Sequence, residues 1–211
     1  SNKRPSVVSG VPPDAFSDDG QLWGNPIYDW EYMRESDYDW WKQRFARAFE
    51  RYDSVRIDHF RGFSAYWEIP VGARTAAEGQ WVTGPGLDLT SSLKSYFDHL
   101  PVVVEDLGEI DEPVRELVKA FGAPGMKVLL FGFNSGADCE HLPLNYSKNT
   151  ICYTGTHDTN TLLGWWHETD DATRDHVRRY IGVDGHDIVW DLIRLALSSV
   201  ANLAMIPFQD L

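Results

Sequence analysis

Ser54-Val55-Arg56-Ile57-Asp58-His59-Phe60-Arg61-Gly62-Phe63 is the stretch around which the rest of the chain is read. Its first five residues are strand-like and follow at once on a helical pattern, in which Trp41, Phe45, Ala48, Phe49 and Tyr52 recur at helical spacing from Tyr38 onward. Residues two apart on a strand project to one face, so Arg56 and Asp58 share a face and Ile57 takes the other. The order is helix, then strand, with two opposite charges at the strand end.

The alternation repeats downstream. A helix near 92–100 leads into Pro101-Val102-Val103-Val104-Glu105, and a helix near 113–121 ends at Gly122 before Met126-Lys127-Val128-Leu129-Leu130-Phe131. Pro113 fits a first helical turn. Thr150-Ile151-Cys152-Tyr153-Thr154 reads as a fourth strand, and helices near 173–181 and 187–200 precede Leu203-Ala204-Met205-Ile206-Pro207-Phe208. Short apolar strands between amphipathic helices indicate a parallel sheet covered by helices, hence α/β. Periodicity alone does not choose a barrel over an open sheet. Asp58, Glu105, Asp158 and Gln209-Asp210 all fall at or just past carboxyl ends of strands, the end that carries the site in a (β/α)8 barrel. Residues 2–37 are rich in Pro, Gly, Asp and Ser and read as a long ordered loop of the kind that carries function. With no internal repeat and no linker, residues 1–211 are expected to form one unit.

Composition narrows the function. The chain has 211 residues, 43% of them hydrophobic, enough for one sizeable core. Nineteen Lys and Arg stand against 32 Asp and Glu, a net charge of -13, which argues against a nucleic-acid backbone or an anionic membrane as partner. A neutral substrate fits better. Cys139 and Cys152 are too few for a disulfide framework and lack metal-ligand spacing, which suits a reducing compartment. No stretch is long and apolar enough to be a membrane helix or a secretory signal, so a cytoplasmic setting is expected. The chain opens without Met and stops after Phe208-Gln209-Asp210-Leu211, so it reads as a piece of a longer protein, with Ser1-Asn2 as a remnant of cloning. Nine Trp, nine Tyr and ten Phe are an excess; each reads first as core packing, and some as surfaces for stacking sugars.

Three acidic segments carry the chemistry. Arg56 beside Asp58 holds the carboxylate ionised, as a nucleophile requires; a structural ion pair at a strand end is the alternative. Val102-Val103-Val104-Glu105-Asp106-Leu107-Gly108 puts an acidic pair at the rim of the core. Partial desolvation raises a carboxyl pKa, as a general acid requires, and Glu105 continues the strand while Asp106 alternates to a structural role. Tyr153-Thr154-Gly155-Thr156-His157-Asp158-Thr159-Asn160-Thr161 is a polar run after a strand, and no second His lies at ligand spacing to make it a metal site. Two carboxylates across a sugar-sized cleft are what glycoside cleavage demands, and a third can accept hydrogen bonds that strengthen as charge develops.

Taken in order, these segments resemble the shared regions of the α-amylase clan, and in wording they resemble the amylomaltase or disproportionating-enzyme family, the 4-alpha-glucanotransferases of glycoside hydrolase family 77. Gly10-Val11-Pro12-Pro13-Asp14, Gly20-Gln21-Leu22-Trp23-Gly24-Asn25-Pro26, Trp81-Val82-Thr83-Gly84-Pro85-Gly86 and Ile206-Pro207-Phe208-Gln209-Asp210 add to the likeness, which runs over nearly the whole chain. The resemblance implies a partial (β/α)8 TIM barrel, strands four to eight of the parent, with its first three strands and C-terminal end missing and the N-terminal loop over the active site. It implies retaining transfer of α-1,4-glucan segments between maltooligosaccharides with Asp58 as nucleophile, Glu105 as acid/base and Asp158 as transition-state stabiliser, and no cofactor. By the same resemblance Arg56 orients Asp58 and His157 binds the sugar, while Trp23 either stacks on a glucose face or serves in plain packing. His59 is carried over as a sugar contact although strand alternation points it away unless the chain turns there. Thr159-Asn160 departs from the Asn-Asp of many relatives, which bears on neighbouring sugar contacts. Other readings are a clan-related hydrolase, with water as acceptor, and a folded but inert fragment. Loss of three strands leaves unpaired sheet edges, so the isolated chain is expected to self-associate.

Overall fold

The computed structural model describes residues 4–14 and 17–211; Ser1-Asn2, expected above to be a cloning remnant, lies outside the described residues. The chain is mixed α/β and divides into two units, Ser1–Ala123 and Pro124–Leu211.

The first unit is built around a parallel strand pair. In chain order its elements are β1 (Val7–Val11), β2 (Gln21–Pro26), α1 (Trp30–Glu35), α2 (Asp39–Phe49), β3 (Val55–Ile57), β4 (Ala65–Pro70), β5 (Gln80–Thr83), α3 (Gly86–Tyr96), β6 (Val102–Val104) and α4 (Glu112–Phe121). Strand β3 pairs parallel to β6, with Val55, Arg56 and Ile57 opposite Val102, Val103 and Val104. Ile57 and Val104 are buried, and Arg56 and Asp58 are exposed, as the alternation requires. Helix α2 contributes Trp41 and Phe45, the turn after β3 contributes Phe60 and Phe63, and α3 contributes Leu89 and Leu93 to one core. Aromatic side chains meet edge to face in it: Trp41 and Phe63 at 5.4 Å, Phe60 and Phe121 at 5.4 Å between centroids. Much of the aromatic excess is therefore packing.

Helix α4 shows the local signals acting together. Asp111 caps its N-terminus by accepting from the Val114 amide, Pro113 occupies the first turn, and Gly122 ends it at φ 76°, a left-handed conformation that favours glycine. Its buried face is Val114, Leu117 and Phe121, at i, i+3 and i+7.

The long-loop reading of residues 2–37 needs correction. That region holds β1, β2 and α1, and β1 and β2 join β4 and β5 in a four-stranded antiparallel sheet of order β2-β1-β4-β5. The Pro and Gly residues punctuate strands instead of replacing them. Gly10 shows why: a Cβ there would lie 2.1 Å from the Gln21 carbonyl oxygen, so only glycine lets β1 and β2 approach. The pairing shifts register between Val8 and Gly10 at this point. Strand β2 is exposed along its whole length, so it carries no alternation that a sequence pattern would reveal.

The second unit has three parallel strands, β7 (Gly125–Val128), β8 (Thr150–Tyr153) and β9 (Leu203–Met205), with β8 paired to both others. Helices α5 (Leu162–Glu168), α6 (Asp171–Ile181) and α7 (Ile188–Leu197) complete it. Leu129, Leu130, Phe133, Leu162, Val177 and Leu192 form its core, each almost fully buried, and cutting one such leucine back to alanine typically costs about 2–5 kcal/mol. The strand expected to run on to Phe131 stops at Val128 and becomes a 3-10 turn, Leu129–Asn134. Leu129, Leu130, Gly132 and Phe133 are all buried there, a spacing no strand face provides. Helix α5 was not foreseen; Thr161 caps it by accepting from the Gly164 amide.

Candidate active site

The turn after β3 determines where the acidic residues of the first unit stand. Ladder bonding continues past the strands: the Glu105 amide donates to the Ile57 carbonyl at 2.9 Å, and the Phe60 amide donates to the Glu105 carbonyl at 3.0 Å. Between these bonds His59 adopts φ 47°, a left-handed conformation unusual for a residue other than glycine, and the chain enters the 3-10 turn Phe60–Phe63. The turn aims the His59 amide at Glu105, whose Oε2 accepts it at 2.8 Å. Oε1 accepts from the Leu107 amide at 2.8 Å.

These contacts set the character of each carboxyl. Burial raises the Glu105 pKa above the usual carboxylate value, opposed by the amides of Leu107 and His59; Asp58 raises it further and Arg56 lowers it. A half-buried acid with a raised pKa is suited to hold a proton and give it up. Asp58 stands more open, with its side chain 74% exposed, and its Oδ1 lies 2.7 Å from Nη1 of Arg56. The pair expected on the β3 face is thus formed.

Arg56, Asp58, His59 and Trp23 line one cleft of about 770 Å³, together with Tyr28 and Trp30. Trp23 lies on β2, half-exposed, its Nε1 donating to Gln21 Oε1 at 3.1 Å, and it meets the His59 ring edge to face at 4.8 Å. The turn that strand alternation lacked brings His59 to this wall, where its ring also packs over Gly62. Glu105 reaches the same wall through the His59 amide. Tyr28 and Trp30 were not singled out from the sequence; the available signal was the aromatic density directly after Gly24-Asn25-Pro26.

In the second unit, Asp158 and His157 follow β8 in the turn 155–160. Both are exposed, with His157 Nε2 3.4 Å from Asp158 Oδ2. Thr156 Oγ1 accepts the Asp158 amide at 3.2 Å. Thr159 Oγ1 closes the turn by accepting from the Thr156 amide and donating to its carbonyl, and Asn160 donates to Glu168 Oε1 on α5 at 2.8 Å. Thr159 and Asn160 therefore serve the turn and its anchor. Asp210 is buried and accepts the Leu162 amide at 2.8 Å, a structural task at the start of α5. Among the described residues no group of three His, Cys, Asp or Glu side chains is placed to hold a metal ion. Cys139 and Cys152 are free thiols.

His59 in the first unit and His141 in the second are held far below the ordinary 6.5, each at about 4, chiefly by burial. Arg61 lowers His59 further against the pull of Asp58, and Lys127 lowers His141 against Glu140. His141 Nδ1 accepts the Val128 amide at 3.1 Å, which requires the unprotonated nitrogen. Between pH 6.5 and about 4 the unfolded chain binds protons that the native chain refuses, so this stability is complete above 6.5 and is lost as pH falls toward 4. Urea denaturation across that window should show stability rising with pH, with a shallower slope in His59→Asn and His141→Asn; equal slopes in all three proteins would contradict the assignment.

Comparison with known proteins identifies the family. A family model for glycoside hydrolase family 77, described as 4-alpha-glucanotransferase, matches residues 2–211. The 4-alpha-glucanotransferase DPE1, chloroplastic/amyloplastic, of Arabidopsis thaliana is 47% identical over 213 residues, covering 100% of this chain and 37% of the relative. The 4-alpha-glucanotransferase of Streptococcus pneumoniae serotype 4 is 47% identical over 212 residues, covering 100% of this chain and 42% of the relative. Among solved structures, amylomaltase from Streptococcus agalactiae in complex with acarbose superposes with a TM-score of 0.95 and 41% identity over 99% of this chain and 42% of that one. The chain thus spans about two fifths of the length of these relatives. By sequence and by structure it belongs to glycoside hydrolase family 77, the 4-alpha-glucanotransferases.

Proposed function

We propose that the protein to which this chain belongs is a 4-alpha-glucanotransferase that moves α-1,4-glucan segments between maltooligosaccharides by retaining double displacement. The observation that carries this reading is the pairing, at the ends of β3 and β6, of an open, arginine-held Asp58 with a half-buried, amide-held Glu105 of raised pKa. Asp58 attacks the anomeric carbon while Glu105 protonates the oxygen of the departing glucan, leaving a β-glucosyl ester on Asp58. Glu105, now a carboxylate, takes the proton of an acceptor sugar hydroxyl, whose oxygen displaces Asp58 and restores the α configuration. Asp158 is assigned the third acidic role, accepting hydrogen bonds from ring hydroxyls as positive charge develops. Arg56 orients Asp58, Trp23 offers a stacking face, and His157 and His59 contact the sugar. The chemistry needs no cofactor, since the carboxylates supply both nucleophile and proton. By the family likeness, the parallel strands β3, β6, β7, β8 and β9 are the fourth to eighth of the parent barrel.

The isolated chain also presents strand edges. Among the described residues β3 pairs only with β6 and β9 only with β8, and Leu203 and Met205 of β9 are exposed. Unpaired edges template association, and we propose that the 211-residue chain self-associates; light scattering should report a mass above that of one chain, and a monodisperse monomer would contradict this.

A maltotriose assay on the full-length protein tests the activity. Transfer yields both glucose and longer maltodextrins, and Asp58→Asn should lower the rate by at least about a thousandfold. Products of hydrolysis alone, or an Asp58→Asn protein of full activity, would sink the reading. The same assay on the isolated chain shows whether this segment catalyses by itself.

A further inference from the structure

Arg61, in the turn after β3, is a buried cation without a close carboxylate. Its side chain is only 12% exposed, yet its nearest carboxylate oxygen, Asp111 Oδ2, lies 3.7 Å from Nη2. The Nε is buried without a hydrogen-bond partner among the described residues. Nη1 donates to the Glu109 carbonyl at 2.6 Å, and the guanidinium sits 4.3 Å over the centroid of the Trp81 ring on β5. Burying a cation against a carbonyl, a ring and a distant carboxylate is costly, and arginine is suited to such a place because its planar group stacks and donates in fixed directions.

What Arg61 grips is the segment that follows Glu105. Glu109 and Asp111 lie between β6 and α4; Asp111 caps α4, and Gly108 bends the segment at φ 85°. The two amides that hold the Glu105 carboxyl come from either side of the same clamp: Leu107 from that segment and His59 from the turn that bears Arg61. We propose that Arg61 is a positioning residue: by clamping the 105–111 segment to the turn after β3 and to β5, it keeps the Leu107 and His59 amides aimed at the Glu105 carboxyl. The inference rests on the reading of Glu105 as the acid/base for its functional meaning, and on contacts alone for its mechanism.

The test is a titration of the Glu105 carboxyl carbon by NMR in the 211-residue chain, with its signal assigned by Glu105→Gln. The charged groups facing Glu105 are Asp58 and Arg56, both at the end of β3, and both are kept in every variant. Arg61→Met releases the clamp. Lost amide donors favour the protonated acid, so the Glu105 midpoint should rise by about half to one pH unit. Arg61→Lys keeps a cation over Trp81 and one donor, and should recover at least half of that rise. An unchanged midpoint in Arg61→Met overturns the proposal, as does an Arg61→Lys midpoint as high as that of Arg61→Met. If Arg61→Met does not fold, Trp81→Leu removes the stacking face and is expected to raise the midpoint in the same direction; no change there overturns the proposal too. Because the titration needs no turnover, a Glu105→Gln enzyme of full activity would overturn the acid/base reading while leaving the positioning result to stand or fall separately.

Discussion

Glu105 is bound to the end of β3 by its backbone and its side chain at once. Its amide and carbonyl continue the parallel ladder to Ile57 and Phe60, and its carboxyl accepts the His59 amide in between. The bonds from the Phe60 and His59 amides need the left-handed turn at His59, a conformation that costs energy for a residue with a Cβ. The surrounding structure maintains that turn: Phe60 and Phe63 are buried on one side of it, and the His59 ring is caught between Trp23 and Gly62 on the other. Asp58 precedes this turn by one residue. Its place relative to Glu105 is therefore set by backbone hydrogen bonds and core packing, and flexible side-chain reach has little part in it.

The same arrangement places two chemically similar groups in different environments. Asp58 projects from the strand face shared with Arg56 and stays open to the cleft, where a carboxylate can reach an anomeric carbon. Glu105 lies further into the protein, where burial penalises its charged form and two amides limit that penalty. Without the amides burial would push the acid further up; without burial its proton would leave too readily for it to act as an acid. The two environments suit the two proposed roles, and both come from one turn and the segment after β6.

The strands that carry these residues were legible because their pattern is determined by burial: Val102, Val103 and Val104 make an uninterrupted apolar run, and Ile57 alternates with Arg56 and Asp58. The capped helix α4 was legible for the same reason, through Pro113 and Gly122. The antiparallel sheet was hidden. Exposed β2 has no apolar face, and the glycine that β1 needs beside Gln21 looks like a loop signal when only neighbours in sequence are considered. The 3-10 turn after Val128 was hidden because an apolar run does not disclose its own period. Among site residues, Arg56, Asp58 and Glu105 followed from strand geometry. For His59, alternation points away only while the strand continues, and the turn there is not visible in the pattern; Arg61 gives no local signal because its partners, Trp81, Glu109 and Asp111, are distant in sequence.

If Asp58 is the group to which the sugar becomes attached, the attachment can be trapped on it. The full-length protein carrying Glu105→Gln, which lacks the base for the second step, would be treated with an α-maltosyl fluoride, whose leaving group needs no acid, then digested and examined by mass spectrometry. The expected result is a maltosyl adduct on the peptide containing Asp58, with fragmentation placing it on that side chain. An adduct on another residue, or maltose released with no adduct on a fully folded protein, would contradict it.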